Sequence, residues 1–276
     1  LVPDSFIRIK SQKPSFLFRV ASKIYRLIDR SDGGLRRFDS VFNTSAHLIN
    51  KSGCDLIIYP SQDKMAYLTS VKSLTAIHDL MHRYESHFEE YQHGEIISRD
   101  KHYRMICEYS DGILVDSAIG KTQVIESYNI DCNKVFILPF VPPNYLLESK
   151  EVDIYSKFNL PKKFIFYPAQ FWEHKNHLRL IEAIEILKNK NIDVNLVLVG
   201  SQKNNYKKVV NKISEYALED RVQILGYVSN DEIYTLYKKA IGMSFVSLIG
   251  PTNIPPMEAM LCGCPLICSN VYAMPD

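Results

Sequence analysis

From residue 164 onward, short runs that are apolar almost throughout alternate with segments that are apolar only at every third or fourth position. "FIFYPA" (164–169), "NLVLVG" (195–200), "VQILGYV" (222–228), "GMSFVSL" (242–248) and "PLICSN" are runs of the first kind. A strand with no polar face must be covered on both sides, and parallel strands must be joined by crossovers long enough to hold a helix. The intervening segments have that length and the helical period. Leu180, Ile181, Ile184 and Leu187 share one face, as do Val209, Val210, Ile213 and Tyr216. A third helix follows Ser229 or Asn230, either of which suits an N-cap. The pattern predicts an α/β domain whose parallel sheet is flanked by helices.

The first half repeats the pattern more loosely. "CDLIIYP" (54–60), "SLTAIHD" (73–79), "GILVDS" (112–117) and "KVFILP" (134–139) read as strands, with helices over 14–30, 97–109 and 119–128. Pro-rich, polar sequence near 141–161 reads as a linker. Two Rossmann-like domains are expected, 1–145 and 146–276.

Several function classes are excluded. A net charge of +2 gives no electrostatic footprint for nucleic acid. No apolar run approaches the length of a membrane span. The six cysteines sit in apolar settings, which predicts reduced, buried thiols in a cytoplasmic protein. No metal site is expected, because Cys262, Cys264 and Cys268 lack a second spaced pair, and His78, His82 and Glu85 fit an active-site rim or a hydrogen-bonded structural pair better. The absence of any Gly-x-Gly argues against a dinucleotide fingerprint, and that of Gly-x-Ser-x-Gly against a hydrolase elbow. Without Asp-x-Asp, the usual anchor of a metal-bridged diphosphate is missing as well. The chain opens on Leu1 and closes at Asp276 just after a strand-like run, and it is expected to be cut at both ends.

In an open parallel sheet, ligands sit beyond the carboxyl ends of the strands, where the strand order reverses. With the usual 3-2-1-4-5 order, the first and fourth strands of the second domain are neighbours. The loops after them, "QFWEHKNH" and "IGPTNIPP", then share one crevice. Lys175 brings a positive charge to it. A helix led by Pro255 or Pro256 brings amides of Thr252, Asn253 and Ile254, a combination that suits a phosphate or diphosphate. Glu258, placed in the first helical turn, has two readings: it complements the helix dipole, or it accepts hydrogen bonds from the hydroxyls of a ribose.

The pieces "FYPAQFWEHKNHLRLIEA", "LVLVGS", "VQILGYVSNDEIYTLYKKA" and "GPTNIPPMEAMLCGCPLICSN", in that order and spacing, resemble the donor-binding domain of the retaining glycosyltransferases of family 4, group 1 enzymes with the GT-B fold. "TAIHDLMHRY" and "SRDKHYRMICEYSDGILVDSAIGKTQVIESY" resemble the acceptor-side domain. The resemblance implies two Rossmann-like domains facing a central cleft. It implies that Lys175 contacts the donor diphosphate, that Glu258 binds the nucleotide ribose, and that Gly250, Thr252, Asn253 and Ile254 hold the distal phosphate and sugar. Ser201, Tyr227 and Val228 would line the base pocket, Gln170 would stand where the family often has an Arg, and His78 would face the sugar. The family often carries Glu-x7-Glu; here the first position is Gly250, so that carboxylate is missing.

The expected activity is hexosyl transfer with retention, from a nucleoside-diphosphate sugar to a glycan or lipid-linked acceptor, without metal or other cofactor. A non-catalytic nucleotide- or glycan-binding protein and a GT-B nucleotide-sugar epimerase are the alternatives. The segment "SFLFRVASKIYRLIDR" puts Leu17, Val20, Ile24 and Leu27 on one face and basic residues elsewhere. It is either an ordinary surface helix or a peripheral contact of 14–30 with the inner face of the membrane.

Overall fold

The computed structural model describes residues 32–91, 95–250 and 253–275. The segment expected to be helical over 14–30, its proposed membrane contact, and Thr252 lie outside the described residues. By contact, the chain falls into two compact units. One lies within Leu1–Leu80, Gly94–Val115 and Gly120–Leu138, the other within Met81–His93, Asp116–Ile119 and Pro139–Asp276.

The first unit holds a four-stranded parallel sheet in sequential order: β1 (Leu56–Tyr59), β2 (Lys72–Ala76), β3 (Gly112–Val115) and β4 (Val135–Ile137). Its core gathers Ile77, Leu80, Tyr103, Ile106, Ile113, Val115, Val124 and Val135. Tyr103 and Ile106 come from the helix Glu95–Tyr109 and Val124 from the helix Ala118–Tyr128.

The second unit holds five parallel strands, β5 (Phe164–Pro168), β6 (Asn195–Val199), β7 (Val222–Gly226), β8 (Gly242–Phe245) and β9 (Leu266–Cys268). Their order is β7-β6-β5-β8-β9, which is the 3-2-1-4-5 arrangement with the reversal between β5 and β8. Phe164, Phe166 and Tyr167 of β5 and Leu196 to Leu198 of β6 are fully buried, as central strands without a polar face must be. The helix His177–Asn189 buries His177, Leu180, Ile181 and Ile184, one stripe at helical spacing. The helix Tyr206–Glu215 buries Val209 and Ile213, while Val210, expected on that face, points outward. The helix Asn230–Lys239 opens with a capping box: Ser229 accepts from the Glu232 amide and Glu232 returns to the Ser229 amide.

Two expectations need correction. The stretch near 141–161 is more than a linker. It carries the helices Tyr145–Glu148 and Ile154–Phe158, and Leu146, Ile154 and Leu160 are buried in the second core. The cysteines are not uniformly buried either: Cys107, Cys262 and Cys264 are, but Cys54 and Cys132 are exposed. Each of the two lies in a polar, turn-forming stretch, where nothing covers a small apolar side chain.

Candidate active site at the carboxyl ends of β5 and β8

The loop after β5 turns through a short 3-10 segment, Glu173–Lys175, before Asn176 starts the next helix from a left-handed conformation (φ 58°). Three hydrogen bonds fix it. The Tyr167 hydroxyl donates to the Lys175 carbonyl at 2.7 Å. Asn176 Nδ2 donates to the Val246 carbonyl at 3.2 Å. The Leu248 amide donates to the His174 carbonyl at 2.8 Å. The last two reach from one loop to the other, so the reversal point of the sheet becomes one structure.

Lys175 is half-buried there. Its Nζ donates to Asn253 Oδ1 at 3.0 Å, lies 3.4 Å from Ser247 Oγ, and stands 5.3 Å from the centroid of the Phe245 ring. Burial lowers its pKa to about 8, partly offset by the charge of Glu90. Lys175 and the proline-led turn therefore converge.

The helix Ile254–Leu261 starts before both of the prolines expected to lead it, with Asn253 as N-cap and the two prolines in its first turn. Pro255 and Pro256 have no N–H, so the first-turn donors are those of Asn253 and Ile254, fewer than an ordinary helix start presents. The Asn253 side chain does not cap the helix but turns to Lys175. Glu258 falls in the second turn, too far along to complement the dipole, which fades within the first turn. It is buried, and both its oxygens are held. Oε1 accepts from Tyr145 and Oε2 from Tyr237, each at 2.8 Å. Tyr237 is fully buried and Tyr145 partly exposed. Burial, together with the neighbouring Glu258 carboxylate, pushes both phenols up, so they stay protonated donors. Each carboxylate oxygen keeps a second lone pair for a ligand hydroxyl.

Gly250 explains itself locally. Its φ is +120°, and a Cβ built on it would lie 2.7 Å from Asn253 Nδ2. The room a side chain at 250 needs is occupied by the residue that meets Lys175.

Of the remaining candidates, Gln170 is exposed and accepts from Trp172 Nε1 at 3.0 Å. Ser201 is exposed, its carbonyl accepting from the Phe171 amide at 3.0 Å. Tyr227 is 94% exposed while Val228 is buried. All four lie at the carboxyl ends of β5, β6 or β7. His78 belongs to the other unit, where it lines a cleft of about 520 Å³ with Gln62, Asp79, Ser98, Arg99, His102 and Tyr103. Among the described residues, no three His, Cys, Asp or Glu side chains are grouped to hold a metal ion. No described helix is long and apolar enough to cross a membrane.

Three contributors were not legible in advance. Tyr145 and Tyr237 reach Glu258 from 113 and 21 residues away, and no local spacing announces them. The third is Glu90, whose carboxylate pairs with His174 Nδ1.

Residues 149–276 match the family model of glycosyl transferases group 1. These residues, just under half of the chain, are thus similar to that family. The O-antigen chain mannosyltransferase RfbU of Salmonella typhimurium is 27% identical over 163 residues, 58% of this chain and 42% of that protein. The serotype-specific mannosyltransferase WbdA of Escherichia coli is 26% identical over 180 residues, 61% of this chain and 22% of that protein. The match thus spans less than half the length of these relatives. Among solved structures, the sucrose-phosphate synthase of Thermosynechococcus elongatus superposes with a TM-score of 0.68 at 21% identity, covering 86% of this chain and 61% of that one. Anabaena HepE, solved with UDP and glucose, superposes with a TM-score of 0.63 at 15% identity, covering 96% and 80%. These likenesses show the fold alone: two Rossmann-like units of the GT-B type.

Proposed function

We propose that the protein transfers a hexosyl group from a nucleoside-diphosphate sugar to a hydroxyl of a glycan or lipid-linked acceptor, with retention of anomeric configuration. The observation that carries this reading is the convergence of Lys175 with Asn253 at the start of the helix that bears Glu258. Lys175 would meet the diphosphate and Glu258 a ribose hydroxyl. Support comes also from the relatives named as mannosyltransferases and from a similar fold solved with UDP.

In the reaction the acceptor oxygen bonds to the anomeric carbon as the bond from that carbon to the diphosphate oxygen breaks. The acceptor proton passes to a phosphate oxygen of the leaving group. Negative charge grows on the diphosphate, and a fixed, partly desolvated ammonium is better placed there than a solvated one. The absence of Asp-x-Asp from the sequence supports meeting that charge without a bridging metal.

The test is calorimetric titration of the intact protein with UDP and GDP, followed by turnover of UDP-glucose and GDP-mannose. Lys175→Ala is expected to weaken diphosphate binding at least tenfold and to slow transfer by ~10²–10³. Glu258→Gln is expected to erase the preference for the ribonucleotide over its 2′-deoxy counterpart. Normal binding and turnover by Lys175→Ala would sink the assignment.

A further inference from the structure

The segment Met81–Tyr91 lies in sequence between β2 and the helix Glu95–Tyr109 of the first unit, yet it packs as part of the second. Met81 and Phe88 form a small apolar cluster with Ile249, the residue before Gly250. The Phe88 ring meets His174 edge-on, with centroids 6.0 Å apart. Asn204 Nδ2 donates to Glu89 at 3.3 Å, and the Tyr272 hydroxyl donates to Glu85. These contacts set Glu90 against the turn that carries Lys175. Its Oε1 pairs with His174 Nδ1, and the two side chains are only 10% and 13% exposed. The other oxygen, Oε2, is buried and makes no hydrogen bond of ordinary geometry, although the Asn204 side chain and the Glu90 backbone lie close enough to help lower the carboxyl's pKa.

A buried carboxylate oxygen without a well-placed donor costs more than a neutral orphan, so a native site that keeps one has a use for it. The missing partner is constrained by its neighbours. A phosphate would be repelled by the carboxylate and drawn to Lys175. A cation would be repelled by Lys175, and no three-residue ligand group exists among the described residues. A neutral hydroxyl donor meets neither objection. Ribose has its own carboxylate under the proposed function, Glu258, reached from Lys175 through Asn253. In the chain of contacts Lys175 stands between the two acids, as a diphosphate stands between ribose and sugar in the donor. Gly250, on the loop that Phe88 packs against, offers no side chain.

We infer that Glu90 is a substrate-binding residue whose Oε2 accepts a hydrogen bond from a hydroxyl of the transferred sugar. This rests on the reading of Lys175 as the diphosphate site, and the experiment separates the two. Binding of UDP, GDP, UDP-glucose and GDP-mannose to the intact protein is measured at pH 6.5, where Lys175 keeps its proton. Glu90→Gln is expected to weaken the preferred sugar nucleotide about tenfold, the loss of one charge-assisted hydrogen bond. The matching free diphosphate should bind within twofold of wild type or more tightly, because a negative charge has gone. Glu89→Gln, at the exposed neighbour, should shift neither. The ratio of the two affinities within one folded sample is insensitive to any loss of stability in the variant. Equal weakening of diphosphate and sugar nucleotide, or no change in either, would overturn the role of Glu90 and leave that of Lys175 standing. Failure of the wild-type protein to bind any of the four ligands would overturn both.

Discussion

At the scale of single residues, the site is governed by how charges are held away from water. Lys175 is partly desolvated and has no carboxylate in direct contact among the described residues; Glu90 acts on it through space and Asn253 through a neutral amide. That leaves its charge available to an anion, at the cost of a pKa near physiological pH. A pH dependence follows. The folded-state pKa of about 8 lies below the usual 10.5, so the free site loses its proton as pH rises through 8. Between pH 7 and 9 the charged fraction falls roughly tenfold. The dissociation constant for UDP or GDP, whichever binds more tightly, should rise by about the same factor. Calorimetry across that range checks it, and Lys175→Arg, which cannot deprotonate, should flatten the curve. A flat wild-type profile would show that Lys175 stays charged or plays no role in binding. Glu258 is the complementary case. Its two phenol donors hold both carboxylate oxygens in place, and each oxygen keeps a further lone pair.

At the scale of elements, close backbone approach decides where the loops go. The position of Gly200, at the end of β6, has no room for a Cβ: one would lie 2.2 Å from the Ala169 carbonyl oxygen and 2.9 Å from the Gln170 amide nitrogen. The loop that becomes the Lys175 turn leaves β5 directly against β6, held by the Ala169 amide to Val199 and the Phe171 amide to Ser201. Gly200→Ala must push a pair of backbones apart rather than move one flexible side chain. A destabilisation of about 1–3 kcal/mol is expected, with nucleotide binding weakened beyond what unfolding explains. Urea titration with and without UDP or GDP measures both; an unchanged midpoint would mean that the loop yields freely. This is also where legibility from sequence divides. Fully apolar strands announced β5 to β8, and the topological rule then put Lys175 beside the turn at 250–254 without any contact being known. Glu90 was invisible for the opposite reason. "HFEEYQH" reads as a solvated, acidic loop, and only tertiary packing of Phe88 on Ile249 brings one of its acids indoors. Glu258 was placed in the first turn because the helix start was set at one of the prolines, whereas the two occupy its second and third positions.

At the scale of the molecule, the two units differ in what acid does to them. In the second core His177 is fully buried between the rings of Phe171, stacked at 4.5 Å, and Tyr167 at 4.9 Å, and neither ring nitrogen makes a hydrogen bond of ordinary geometry. Burial lowers its pKa to about 4, with the Ala169 backbone opposing the shift and the charges of Lys175 and His174 adding to it. The unfolded chain, with a pKa of 6.5, binds the proton first as pH falls. Stability from this residue is therefore complete above about pH 6.5 and is lost progressively toward pH 4. At pH 5 the loss is about 2 kcal/mol. The lowered carboxyls of Glu90 and Glu232 act in the same direction but below their ordinary pKa of 4.5, so they add little from pH 7 to 5. Amide hydrogen exchange of the intact protein, corrected for the intrinsic pH dependence, should show the opening free energy of β5 and β6 falling over that interval while that of β2 and β3 holds. Among its described residues the first unit has no fully buried histidine, His78 and His102 being partly exposed and His47 exposed, and its Cys107 thiol is pushed up to about 12 by burial and is neutral throughout. Equal loss in both sheets would assign the acid sensitivity to general charge repulsion. Loss confined to the second sheet, and absent from a His177→Leu variant, assigns it to a neutral imidazole built into the wall behind the Lys175 turn.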